Sequence, residues 1–328
     1  MRKTVVATAL CALLLLVSAP PAAAAGDGDG VRIVNLNLLH GVFCPAETDG
    51  CLAPDRVDLL MRQLEDADCP EVVGLQEINA VLAKLLAKAV PKTCDGDYEI
   101  VPSGKPTTLD TERVLTTLPI TSTKVEKLVG GFRTATRVVM KSSIGPLVLV
   151  VTHQEGDPEG KPPGPPCRNC PPPCKEQQAP IFVCQTVAAA ALADDAGGSK
   201  AVRVLMGDFN VTPASARYQG LIAAGWVDTY TLAGNAECDA STSEGCTAGR
   251  DDKTLESLQD PTKRQAERID FIFVKSPASC EQPQTDTASD DDGVGTGLWN
   301  DEPTVDGPGG LAWTSDHTGV SADISCGK

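Results

Sequence analysis

The sequence predicts an α+β layered sandwich, with helices on the outer faces of two packed sheets. Short strand-like runs recur along nearly the whole chain, and a few helix-like segments are interspersed among them. In "AVRVLMGDFNVTP", Ala201 to Pro213, Val202, Val204, Leu205 and Met206 read as a short strand with little polar alternation, which is how a strand covered on both faces reads. It then ends abruptly in Asp208 and Asn210, and strand ends are where rigid scaffolds present reactive groups.

The chain opens with Arg2 and Lys3, an apolar run from Val5 to about Ala19, and small residues at Ala23 and Ala25. That is the three-part pattern of a secretory signal peptide over residues 1–25, too short for a comfortable membrane span. Leu10 before Cys11 argues against a lipoprotein anchor, and no later segment is apolar enough to cross a bilayer. Residues 26–328 are expected to form one exported, monomeric domain.

Strand-like runs follow at "VRIVNLNLL", "PEVVGLQEI", "DYEIVPSG", "TERVLTTLPI", "TSTKVEKLVG", "RTATRVVMKS", "GPLVLVVTH", "AVRVLMGDFN", "ERIDFIFVK" and "HTGVSADIS". Helical spacing of Val57, Leu60, Met61 and Leu64 predicts a helix over Asp55–Asp68, and Asn79 caps a second in "NAVLAKLLAKAV". "CQTVAAAALADDAGG" and "ASARYQGLIAAG" supply two more. Residues 156–184 form a Cys- and Pro-rich insertion, 235–259 read as a loop, and 276–310 as an acidic loop. Asp290 to Asp292 lack the alternating ligand register and closing Glu of a calcium loop.

Of the thirteen cysteines, Cys11 leaves with the signal, and the even remainder in an exported chain reads as disulfides. Cys44 with Cys51 and Cys238 with Cys246 bracket short hydrophilic loops and are candidate local staples. Cys167, Cys170, Cys174 and Cys184 have partial zinc spacing, but the segment is Pro-rich and has no nearby His. With 28 basic against 44 acidic residues, the surface repels polyanions at long range. Salt-driven binding of long nucleic acid is thereby disfavoured, whereas a local metal ion can still grip a few phosphates.

Reactive side chains cluster at strand ends: Asn37 and His40 after the first run, Gln76 and Glu77 after "VVGL", and His153 after "VLVVT". Asp208 and Asn210 follow in "MGDFN", Arg268 and Asp270 in "ERIDFIF", and Asp316 and His317 in "TSDHTG". Each alone has a bland reading: a turn residue, a hydrogen-bonded structural His, or an Asp270 that neutralises Arg268. A carboxylate at the end of a buried run is costly unless paired or metal-bound, and here the pattern repeats across one domain.

The pieces "VNLNLLHG", "VVGLQEI", "VVTH", "MGDFN", "RIDFIFV" and "SDHTGVSADI" together resemble the endonuclease/exonuclease/phosphatase family, in family order from Val31 to Cys326. The resemblance implies a four-layer α-β-β-α sandwich of two mainly antiparallel sheets, as in pancreatic-type deoxyribonuclease. It implies that Asn37 and Glu77 help hold a divalent metal, with Asp316 in the metal region, and that Asp208 and Asn210 orient the attacking water and the phosphate. His317, braced by Asp270, becomes the general acid/base, and His153 stabilises phosphate charge or shares the proton work. Glu112 in "TERVL" is similar to the acidic partner of that second His. Carboxylate and amide oxygens suit Mg²⁺ or Mn²⁺, and phosphodiester hydrolysis needs what such a site supplies.

The expected function is a divalent-metal-dependent phosphoesterase of nuclease type, acting on DNA or a small phosphorylated molecule. An inositol-phosphate or sphingomyelin-type phosphatase or phospholipase uses the same site, and a catalytically silent binding module is the alternative from another class. "TERVLTTLPI" keeps Pro119 and Ile120 but lacks the Gly and Asn that precede them in many members, which leaves the substrate subfamily open.

Overall fold

The computed structural model describes residues 30–102, 106, 110–130, 132–156, 174, 180–276, 283–284 and 296–326. The signal-type leader, most of the Cys- and Pro-rich insertion, and the Asp290–Asp292 run lie outside the described residues.

In chain order the elements are β1 (Gly30–Asn37), α1 (Asp49–Asp66), β2 (Val72–Gln76), α2 (Ala80–Ala89), β3 (Glu99–Val101) and β4 (Arg113–Thr116). Then come β5 (Ile120–Lys127), β6 (Thr134–Ser142), β7 (Gly145–His153), α3 (Ile181–Asp194), β8 (Val202–Asp208) and α4 (Ala216–Ala223). The last are β9 (Val227–Asp228), α5 (Thr229–Leu232), α6 (Leu255–Gln259), β10 (Asp270–Lys275), β11 (Pro283–Gln284), β12 (Gly297–Trp299) and β13 (Gly319–Cys326).

One sheet runs β11-β13-β1-β2-β4-β3 with β12 also on β13, and the other runs β5-β6-β7-β8-β10-β9. β1 with β2 and β7 with β8 are parallel, and the remaining pairs are antiparallel, so both sheets are mixed but mainly antiparallel as expected.

Period-two alternation on doubly covered strands builds the four layers. Leu147, Leu149 and Val151 of β7, with Val204 and Met206 of β8, meet Ile33, Val72 and Val114 of the other sheet in the central core. The alternate residues Val148, Val150 and Leu205 face outward, where Ala189, Leu192 and Ala193 of α3 and Leu221 of α4 cover them. Val34, Leu36, Val73 and Leu75 do the same beneath Leu60 and Leu64 of α1 and Leu82 and Leu86 of α2. The "AVRVLM" run shows little polar alternation because, apart from the partly buried Arg203, both of its faces are covered.

Gly207 explains the interruption before Asp208. Its φ is 147°, and a Cβ there would lie 1.8 Å from the Thr152 carbonyl oxygen on the neighbouring strand. Gly207→Ala is expected to cost more than about 3 kcal/mol, by backbone strain and collision together, read as a fall in the urea midpoint.

Two loop readings need correction. The 235–259 segment contains α6 and Ala248, which bridges to Glu267, and the 276–310 segment contains β12. Both elements are too short for periodicity to register, and pairing with distant chain creates them. Both proposed staples form, Cys44–Cys51 and Cys238–Cys246, together with Cys69–Cys94. Cys174 pairs with Cys184, which consumes two ligands of the conceivable zinc set, while Cys167 and Cys170 lie outside the described residues.

Candidate active site

Strand register brings the polar residues together. Asn37 sits opposite Gln76 across β1 and β2, while His153 and Asp270 both sit opposite Asp208, on β7 and β10 respectively. His317 lies two residues before β13, which pairs antiparallel with β1. All of these ends open at one mouth between the sheets, into a cavity of about 840 Å³ that Glu77, His153, Asp208, Asn210, Asp316 and His317 help to line.

Asp208 is the hub. Its Oδ2 accepts from Asn37 Nδ2 at 3.0 Å and lies 3.3 Å from His153 Nε2 and 3.9 Å from His317 Nε2. Its Oδ1 accepts the Asn210 backbone N–H at 2.8 Å. Asn210 in turn places Nδ2 2.9 Å from the Gln154 carbonyl and 3.0 Å from His153 Nε2. That turn requires Asn210 to adopt φ 52°, a region Asn tolerates better than most residues.

Asp270 Oδ2 lies 2.9 Å from His317 Nδ1, which leaves Nε2 toward the cavity. The bland reading of Asp270 as the counter-charge of Arg268 fails, because Arg268 pairs with Asp228 at 2.7 Å and with Glu237 at 2.5 Å. Burial opposes charge on His317, yet Asp270 and then Asp316 hold its imidazolium well above the ordinary histidine range.

The presumed partner of His153 is a different carboxylate. Asp110 Oδ2, not Glu112, lies 2.9 Å from His153 Nδ1 and also receives Arg133. Glu112 is wholly buried, its Oε2 takes the Thr134 hydroxyl, and it does not line the cavity. Both acids precede β4, and only the folded geometry separates the one that reaches the ring from the one that points into packing. Arg133 and Arg250 also line the cavity; neither stands out in the sequence, since Arg133 opens a strand-like run and Arg250 falls in the segment read as a loop.

Burial pushes the Glu112 carboxyl up to about 8, against the Thr134 hydrogen bond. Burial opposes the charged His153 ring, yet Asp110 and then Asp208 raise it to about 9. Both groups hold protons in the fold that the unfolded chain releases, so both contributions have the same sign. For His153 the stability is full below the unfolded value near 6.5 and is lost as pH rises through about 9; for Glu112 it is lost on the way to about 8. In chelator, the melting temperature is therefore expected to fall by several degrees between pH 6.5 and 9. A flat or rising profile contradicts the buried-proton arrangement.

On the facing wall, Glu77 follows β2 at φ 63°, strained for a side-chain-bearing residue. Asn37 Nδ2 donates to its Oε1 at 3.1 Å and the His40 backbone N–H to its Oε2 at 2.7 Å. Burial raises the Asp316 carboxyl to about 6, against the pull of His317 and with added repulsion from Glu77. The half-buried Glu77 and the buried Asp316, two carboxyl groups that repel one another, form a hard-oxygen pair suited to a divalent cation, while Asn37 turns its Nδ2 toward Glu77 and Asp208 and its Oδ1 accepts the Leu39 backbone N–H at 3.0 Å. Asp208, Asp270 and His317 also converge closely enough to hold an ion, but Asp270 and His317 already bond each other.

Paired His–Asp units facing a hub carboxylate, beside an acidic oxygen-donor pocket, belong with the chemistry of a hydrolase acting on phosphate esters. The chain belongs to the endonuclease/exonuclease/phosphatase family, whose model matches residues 34–317. Its fold is similar to that of D. rerio TDP2 complexed with single strand DNA product, at a TM-score of 0.60 and 16% identity, over 90% of this chain and 99% of that one. A Bacteroides thetaiotaomicron mannosyl-6-phosphatase superposes at a TM-score of 0.61 and 16% identity, over 90% and 99%. A Bacteroides vulgatus endonuclease/exonuclease/phosphatase matches at 0.61 and 18% identity, over 91% and 99%. No curated protein matches the sequence.

Proposed function

We propose that this protein is an exported, divalent-metal-dependent phosphodiesterase of nuclease type. The observation that carries the reading is the convergence of His153, Asp208, Asn210 and His317 with Glu77 and Asp316 around one cavity. The DNA product in the D. rerio TDP2 structure supports a phosphodiester as substrate, and the disulfides support an oxidising compartment. Among the described residues no helix is long and apolar enough to cross a membrane.

Glu77 and Asp316 would hold Mg²⁺ or Mn²⁺, with the Asn37 amide positioning Glu77 and Asp208 through its Nδ2. Such an ion supplies positive charge to a non-bridging phosphate oxygen. Asp208 Oδ2, flanked by both histidines and Asn37, orients the attacking water and accepts its proton, while Asn210 fixes the loop that presents it. His153, held charged by Asp110, draws the developing negative charge of the phosphate. His317 Nε2 donates a proton to the leaving oxygen, and Asp270 fixes its tautomer through Nδ1.

The same chemistry serves a phosphomonoester, and the mannosyl-6-phosphatase fold neighbour supports a small phosphorylated molecule as the second reading. A side-by-side hydrolysis assay of plasmid DNA, RNA, bis(p-nitrophenyl) phosphate, sphingomyelin and inositol polyphosphates with Mg²⁺ separates them. Turnover of DNA, RNA or bis(p-nitrophenyl) phosphate supports the first reading, and turnover of inositol polyphosphates or sphingomyelin alone the second. Silence on every substrate favours a binding module.

A further inference from the structure

The chain is poor in aromatic residues, at 4% of its composition, and the fold hides most of them. Every tryptophan and tyrosine is buried, and Phe209, Phe271 and Phe273 lie in a core cluster. Among the described residues the two strongly exposed aromatic rings are Phe43, at 61%, and Phe132, at 77%, and both line the catalytic cavity.

They reach it from different sheets. Phe43 sits in the loop after β1, beside the Cys44–Cys51 disulfide, with its ring 5.3 Å from that of His40 and inclined at 69°. The Val42 backbone N–H lies 3.1 Å from His40 Nδ1, which fixes this ring. Phe132 lies in the turn between β5 and β6, next to Arg133, whose guanidinium is anchored on Asp110 beside His153. Both rings are thus carried by segments tied to the catalytic groups, yet neither contributes to the core.

A ring left in water at a catalytic mouth gains most from a flat apolar partner, and stacking on a planar group is tolerant of that group's identity. The formal charge of −16, with Glu155 and Asp252 also lining the cavity, works against a long polyanion. A duplex in addition keeps the faces of its bases stacked out of reach.

We infer that Phe43 and Phe132 select substrate by stacking on a planar aromatic group, a nucleobase or an aryl ester, carried by a short, unpaired phosphodiester. The inference rests on the phosphodiesterase reading above.

The test compares wild type, Phe43→Ala, Phe132→Ala and the double variant on three diesters with Mg²⁺. These are thymidylyl-thymidine, its abasic counterpart of equal charge, and bis(p-nitrophenyl) phosphate. Wild type is expected to prefer the base-bearing dinucleotide over the abasic one by roughly tenfold or more in kcat/KM, and each alanine to remove about five- to tenfold of that preference. Turnover of the abasic diester stays unchanged, and Phe43→Trp restores the loss. An equal loss on bis(p-nitrophenyl) phosphate assigns the site to aryl groups generally, and a loss confined to the dinucleotide assigns it to nucleobases. Turnover without preference, or a preference the double variant keeps, overturns the stacking role alone. Inertness toward all three diesters overturns the phosphodiesterase reading as well.

Discussion

Asp208→Asn is expected to lower kcat by roughly 10²- to 10⁴-fold, the range that positioned proton transfer contributes, while the far-UV circular dichroism stays that of wild type. The substitution preserves shape and removes charge. It deprives the attacking water of its acceptor and weakens the hold on two imidazolium groups, 3.3 and 3.9 Å away. Asp208 is the second of the acids that raise His153, so the same variant shifts the basic limb of the pH–rate profile toward lower pH. Retention of more than about a tenth of wild-type kcat removes Asp208 from the proton work.

Chelation by excess EDTA is expected to abolish turnover, and Mg²⁺ or Mn²⁺ to restore it. Glu77 is held in a left-handed conformation by the Asn37 amide and the His40 backbone N–H, and Asp316 is driven toward protonation by burial and by Glu77. A cation relieves that repulsion, so binding also stabilises the fold. At a hundred times its dissociation constant the gain is about 2.7 kcal/mol, a rise of several degrees in melting temperature. Glu77→Gln should lose most of that rise as well as activity, which separates cation binding from catalysis. Full activity in chelator rejects the assignment.

Much of this site was legible in the chain because the doubly covered strands are apolar to their ends. Asn37, Glu77, His153, Asp208 and Asp270 stand out against such runs, since a polar group there must be satisfied by a specific partner. The His153 partner was not legible. Asp110 and Glu112 carry the same chemistry at nearly the same place in the chain, and their environments diverge only once Thr134 takes one and His153 the other. β12 and α6 escaped for a related reason: they owe their form to β13 and to packing near Trp313 rather than to local pattern.

Local sequence alone determined the alternation that buries both faces of each sheet, the helices that cover them, and which residue types end the strands. Residue spacing along one strand carries that information, because each side chain's face follows from its position. Tertiary structure decided which ends meet: the β7–β8–β10 register sets His153 and Asp270 on either side of Asp208, and loops from both sheets bring Phe43, Asp110 and Arg133 to the same mouth. Those contacts join residues far apart in the chain, and no local propensity encodes a distance across two sheets.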